Sequence, residues 1–112
     1  MAGLFRVTAR SAESVDHIEL HGNIDASAEK ELQGLPGMVR NQVVRIDFSQ
    51  AGRINSMGIA LLLRCFKHIR DEKKAEILLR QLNPTNAILF KMTGIFLLAS
   101  HEKEALPAGG QL

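Results

Sequence analysis

At Ser56 the chain changes its hydrophobic period, and that change limits what it can fold into. Ahead of it, Val43, Val44, Ile46 and Phe48 make a β-branched and aromatic run within residues 42–48 that suits an interior strand. After it, Ile59, Leu62, Leu63, Phe66 and Ile69 recur at helical spacing, with Arg64, Lys67, His68 and Asp71 on the opposite face. The segment between them, residues 49–55 with Gly52 inside it, reads as a loop. A strand that needs cover, followed by a helix with one apolar face, points to a sheet with helices packed on it.

The flanking segments extend this pattern. Phe5, Val7 and Ala9 alternate with Arg6 and Thr8, which predicts a first strand over residues 4–9. A turn at residues 11–14 leads to a second strand over 17–20, which ends at a turn formed by His21, Gly22 and Asn23. The two strands are close enough in sequence to form a hairpin. Asp25 or Ser27 caps a short helix over 28–33, which Gly34, Pro36 and Gly37 stop. Residues 76–79 form another apolar strand. Asn83 and Pro84 open a helix that carries Ala87, Ile88, Leu89 and Met92 and ends at Gly94. Residues 95–99 have the composition of a last short strand. The expected fold is therefore α/β, a mixed sheet of four to five strands in the order ββαβαβα with an optional final β. One domain spans residues 1–106, and Pro107, Gly109 and Gly110 mark a loose tail over 107–112.

Composition excludes several classes of function. A chain of 112 residues with 46% hydrophobic residues suits one soluble domain that needs no disulfide or metal. The net charge is only +2, and the densest basic cluster, Lys67 to Lys74, contains Asp71 and Glu72. Tryptophan and tyrosine are absent. Neither a basic footprint nor a stacking platform for nucleic acid is present. No apolar run approaches the roughly 18 residues of a membrane span, so no membrane insertion is expected. Cys65, the single cysteine, lies in an apolar helical run, and no motif nearby supplies a base to make it a nucleophile. His17 and His21 are four apart on a strand, roughly 13 Å, too far to share a metal ion. No phosphate-binding glycine loop, paired carboxylates or Ser/His/Asp arrangement is evident. The expectation is a cytoplasmic non-enzyme without cofactor or metal.

Chemical interest concentrates at Asn55-Ser56-Met57-Gly58. A serine at a helix start lies beside unpaired backbone N–H groups, where the helix dipole favours negative charge. By position alone Ser56 is either a helix cap or an acceptor for phosphate. Asn55 reads as a cap or turn residue, and Met57 as either exposed or tucked under the helix. Gly58 permits a close backbone approach. The stripe Arg64, Lys67, His68 is a solvated face or a partner contact. Asp25 is a cap residue and Asp47 a structural strand-end residue.

Four landmarks in order resemble the STAS domain, named for sulphate transporters and anti-sigma factor antagonists. Leu20-His21-Gly22-Asn23-Ile24-Asp25 is similar to the family's turn before the first helix. Val43-Val44-Arg45-Ile46-Asp47-Phe48-Ser49 is similar to its central strand. Asn55-Ser56-Met57-Gly58-Ile59-Ala60 is similar to its D-S-S/T-G-L-G turn, and Leu89-Phe90-Lys91-Met92-Thr93-Gly94-Ile95 to a later L-F-x-x-T/S-G-L. The resemblance covers roughly residues 4–100. It implies a bacterial partner-switching regulator of the anti-sigma factor antagonist type. Ser56 would be phosphorylated by a serine kinase that is also an anti-sigma factor and reset by a phosphatase, with sigma-factor or biofilm and polysaccharide output. Asp25, Asn55, Ser56, Met57, Gly58 and Arg64 would form the partner surface. The sequence departs from the family at Asn55, where the family has Asp, and at Met57, where it has Ser or Thr. The resemblance leaves open two other roles: a STAS subunit of a lipid-transport ATP-binding-cassette complex, and a scaffold without phosphorylation.

Overall fold

A computed structural model describes residues 4–102. The expected domain end at 106 and the tail at 107–112 lie outside the described residues. The first strand, β1 (Arg6–Ala12), and the second, β2 (Val15–Ile24), form an antiparallel hairpin in which Arg6 faces His21 and Ala12 faces Val15. The two linking residues, Glu13 and Ser14, have φ of 55° and 66°. This left-handed backbone matches the twist that two-residue hairpins require.

The remaining pairings are parallel. The middle of β2 pairs with β3 (Val43–Asp47), β3 with β5 (Glu76–Arg80), and β5 with β6 (Ser100–His101). A short β4 (Ala51–Ile54) pairs with the end of β2 through Gly22 and Ile24. The result is a six-stranded mixed sheet, one strand more than expected, with β4 branching from β2.

Two sequence expectations are corrected at this branch. Residues 49–55 are not all loop, because Ala51 to Ile54 pair with β2. His21, Gly22 and Asn23 are not a turn. They continue β2 through a register irregularity, with Gly22 at φ 103° and its N–H donating to the Gln50 carbonyl. A bulge glycine inside a strand has the same sequence signature as a turn. A third correction falls at the end of the chain. Residues 95–97 form a 3₁₀ turn, and the last strand is displaced to Ser100–His101.

The helices are α1 (Glu29–Gly34), flanked by 3₁₀ turns at Ala26–Ala28 and Leu35–Met38, α2 (Ser56–Glu72) and α3 (Pro84–Thr93). Asn83 caps α3 as expected, and Gly94 ends it at φ 88°. One continuous core joins Ile18, Leu20, Val44, Ile46, Ile77 and Leu79 of the sheet to Leu32 and Leu35 near α1 and to Ile59, Leu62, Phe66 and Ile69 of α2. Removing a side chain the size of Phe66 from water stabilises the fold by about 1.5–3 kcal/mol. Phe48 at the end of β3 meets Phe90 of α3 edge to face, with ring centroids 5.4 Å apart. The alternate residues His17, Glu19, Arg45, Asp47 and Arg80 line a shallow charged depression together with Thr8 and Arg10.

One acid works as a structural anchor with no local signature in the sequence. Asp16 is only 2% exposed. Its carboxylate accepts from the Arg40 and Asn41 backbone N–H groups at 2.8 Å each and from the Ser11 hydroxyl at 2.7 Å. The Asn41 side-chain amide adds a bond at 3.1 Å. Burial pushes the pKa up, but these bonds, led by the Asn41 N–H, outweigh it and hold the carboxyl below its ordinary 3.8. A depressed folded-state pKa means stability that is complete above the unfolded value and is lost as pH falls through the folded one. Urea melts at a series of pH values should therefore show this contribution fading only below about pH 3.8. Asp16→Asn should lose about 2 kcal/mol at neutral pH and flatten that acid limb.

Candidate functional site

The junction of β4 and α2 is built around Ile24 at the end of β2. The Ile24 carbonyl accepts from the Asn55 N–H at 3.2 Å, so the strand end fixes where α2 begins. Gly58 lies against the same carbonyl. A Cβ on Gly58 would stand 2.0 Å from the Ile24 oxygen and 2.7 Å from its carbon. Glycine is required here for contact, since only a residue without Cβ lets the first turn of α2 approach β2 this closely.

Asn55 is the cap. It has extended backbone, its Oδ1 accepts from the Gly58 N–H at 2.8 Å, and its carbonyl accepts from Ile59 N–H at 2.9 Å. Of the two positional readings of Ser56, capping is thus taken by its neighbour. Ser56 is the first helical residue, is exposed, and its hydroxyl makes no hydrogen bond among the described residues. Asn55→Ala should cost about 1 kcal/mol in a thermal or urea melt. Asn55→Asp should keep the cap and gain a few tenths of a kcal/mol from the helix dipole.

Met57 is 48% exposed, so of its two readings the surface one holds. Seven residues on, Arg64 falls on the same stripe of α2, and His68 continues it. Arg64 and His68 rim a groove of about 280 Å³ that Leu32, Gln33, Pro36, Leu61 and Cys65 complete. The α2 stripe therefore links the Ser56 turn to an apolar groove against α1. Cys65 belongs to the groove wall, and burial pushes its thiol up to about 12, so it stays protonated and is no nucleophile.

Asp25 follows Ile24 directly and so lies beside the same junction. Its Oδ1 accepts from the Ser27 N–H and hydroxyl, making it the cap of the 3₁₀ turn and not a free carboxylate. Those bonds hold its pKa below 3.8. Asp47 likewise caps its own loop, accepting from Ser49 N–H at 2.7 Å. The structure brings Asp25, Asn55, Ser56, Met57 and Gly58 together at one end of the sheet. Arg64 lies two turns along α2, about 12 Å from Ser56 by helical rise. Ile24 was missed by sequence reasoning, because the group that organises the junction is its backbone carbonyl and carries no side-chain signal.

Comparison with known proteins is consistent with this geometry. No curated protein matches the chain by sequence. Among solved structures, an anti-sigma factor antagonist from Mycobacterium paratuberculosis matches at TM-score 0.66 and 17% identity, covering 91% of this chain and 86% of that one. The phosphorylated form of the Bacillus cell fate determinant SpoIIAA matches at TM-score 0.60 and 14% identity, covering 90% and 91%. A sulfate transporter family protein from Wolinella succinogenes matches at TM-score 0.68 and 13% identity, covering 82% and 81%. At these identities the likeness is one of fold. The family model described as Mlab, STAS domain matches residues 7–96, which take in the hairpin, the Ser56 junction and α3, so the chain belongs to the STAS domain family.

Proposed function

We propose that this STAS domain is a partner-switching regulator that docks a serine kinase of the anti-sigma type through the β4–α2 junction and is released when Ser56 is phosphorylated. The observation that carries this reading is the division of labour between Asn55 and Ser56. The asparagine closes the helix start, and the serine hydroxyl is left exposed with no internal bond among the described residues. Such a hydroxyl can accept a phosphate without first breaking the fold. Met57 and Gly58 give the turn an apolar, closely approachable surface, and Arg64 extends it toward the groove at α1. The structural neighbours include an anti-sigma factor antagonist and a phosphorylated SpoIIAA, which supports the same reading. The domain acts by binding, without catalysis of its own, and the output is a sigma factor or another target of the kinase.

Incubation with the cognate kinase and ATP, followed by mass spectrometry, tests the proposal. One phosphate on Ser56 and none on the Ser56→Ala protein is the expected result. A chain that stays unmodified while the kinase phosphorylates another substrate would remove the switch.

A second reading has its own support. The matching family model is the Mlab type, and one neighbour is a sulfate transporter family protein. In that reading the same surface holds an ATPase subunit of a transport complex, with no kinase cycle. Co-purification separates the two, according to whether an ATP-binding-cassette protein or a kinase-type ATPase is recovered.

A further inference from the structure

A groove of about 550 Å³ lies beside the Ser56 junction but belongs to different chemistry. Its polar lining is Asn23, Arg53, Asn55, Asn83, Thr85 and Asn86, and no carboxylate is among the lining residues. The asparagines set its character. The Oδ1 of Asn23 accepts from Arg53 N–H at 2.8 Å, that of Asn55 from Gly58 N–H at 2.8 Å, and that of Asn83 from Asn86 N–H at 2.7 Å. Each of these three amides accepts one backbone hydrogen bond through its oxygen, which fixes its orientation and leaves its NH₂ to donate. Gly52 makes room for this arrangement, since a Cβ there would stand 2.1 Å from Asn23 Oδ1.

Asn86 is the second, independent sign of a ligand. It is only 6% exposed, yet its carboxamide makes no hydrogen bond among the described residues. Among those residues no side-chain nitrogen or oxygen is both fully enclosed and unbonded, so this amide keeps some access to solvent, and Asn86 is one of the residues that line the groove. A nearly buried amide without a protein partner is bonded by water or by a ligand that takes the water's place. The side chain of Arg53 is exposed and has no ion pair among the described residues. The groove also meets the starts of two helices, α2 after Asn55 and α3 after Asn83. Pro84 has no N–H, so Thr85 supplies the first free backbone donor of α3.

We infer that this groove binds a small phosphate-type oxyanion from solution, held by the Arg53 guanidinium, the Asn86 carboxamide, the Thr85 hydroxyl and the N-terminus of α3. Donors, one cation and a helix dipole converge, and no negative charge from the lining residues opposes them. Ser56 is not among the lining residues, so the anion is a separate ligand and not a phosphate carried on that serine. The inference is independent of the proposed kinase cycle.

The test is titration of the full chain with inorganic phosphate, followed by two-dimensional ¹H–¹⁵N NMR, with chloride at equal ionic strength as control. The expected result is saturable shifts at Arg53, Thr85 and Asn86, unchanged in Ser56→Ala. Arg53→Gln, an exposed change that leaves the fold intact, should weaken binding by about tenfold. Asn86→Leu keeps the branching of the side chain, with slightly more bulk beside the open groove, and removes an unbonded amide, and it should weaken binding likewise while melting no lower than the parent. Shifts that do not saturate, that scatter over the surface, or that persist with the same affinity in both variants would overturn the inference.

Discussion

Gly58→Ala is expected to lower the stability of the chain by about 3 kcal/mol or more, a loss of roughly 10 °C or more in melting temperature for a domain of this size. The added Cβ would fall 2.0 Å from the Ile24 carbonyl oxygen and 2.7 Å from its carbon. Both atoms are backbone, in a strand pinned on one side by β1 and on the other by β4. No rotamer change relieves the contact, so α2 must lift from the end of β2. Lifting it strains the Asn55 N–H bond to Ile24 and loosens Ile59 and Leu62 behind it. Gly34→Ala is the matched control. That glycine ends α1 with ordinary φ, and a Cβ added there would meet nothing within 4 Å, so alanine should be neutral or stabilise by up to about 1 kcal/mol. Equal melting of the two variants would show that the Ile24 contact does not govern the junction.

The contrast between these glycines also shows how far the fold was legible in the sequence. Period and punctuation were enough for the long elements. The apolar stripe of α2, the β-branched β3, and the Asn83-Pro84 start and Gly94 stop of α3 each agree with one local rule, and the structure follows them. Where an element depends on a distant partner, local rules fail. β4 has four residues, one of them Gly52, and becomes a strand only because the end of β2 lies alongside it. Gly22 carries a turn signature, but its positive φ serves a bulge within β2. Asp16 looks like an ordinary charged residue in a strand, and its role comes from N–H groups at positions 40 and 41. At the candidate site, Asn55, Ser56 and Gly58 were legible because a helix start has its own chemistry. The choice between cap and free hydroxyl was not, because it depends on which of two adjacent side chains turns back to the backbone. The donor groove was invisible for the same reason. Its residues come from separate stretches of chain, and their common character appears only once each Oδ1 has found its backbone partner.

Phosphorylation of Ser56 should weaken binding of the docking partner more than a hundredfold while leaving the fold of this chain unchanged. The asymmetry follows from where the hydroxyl sits. In the free chain a phosphate there meets solvent on one side and the start of α2 on the other. The Gly58 N–H is taken by Asn55, but the preceding N–H groups of the first turn remain for an anion. Asn55 contributes no charge of its own, so the added charge of roughly −1.5 to −2 meets no adjacent carboxylate from the residue before it. In a complex that buries Met57 and approaches Gly58, the same phosphate must be stripped of water within the contact. A penalty of about 3 kcal/mol is sufficient for the expected loss. Three proteins separate these effects by calorimetry or surface binding. Ser56→Ala removes a hydroxyl with no internal bond among the described residues, so its melt should stay within about 0.5 kcal/mol of the parent and its partner affinity should persist. Ser56→Glu carries one charge without the tetrahedral bulk, so it should fall between parent and phosphoprotein. The phosphoprotein should bind weakest and melt no lower than the parent. If it binds as tightly as the unmodified chain, the β4–α2 junction is not the docking surface, and a role as an unswitched subunit takes its place.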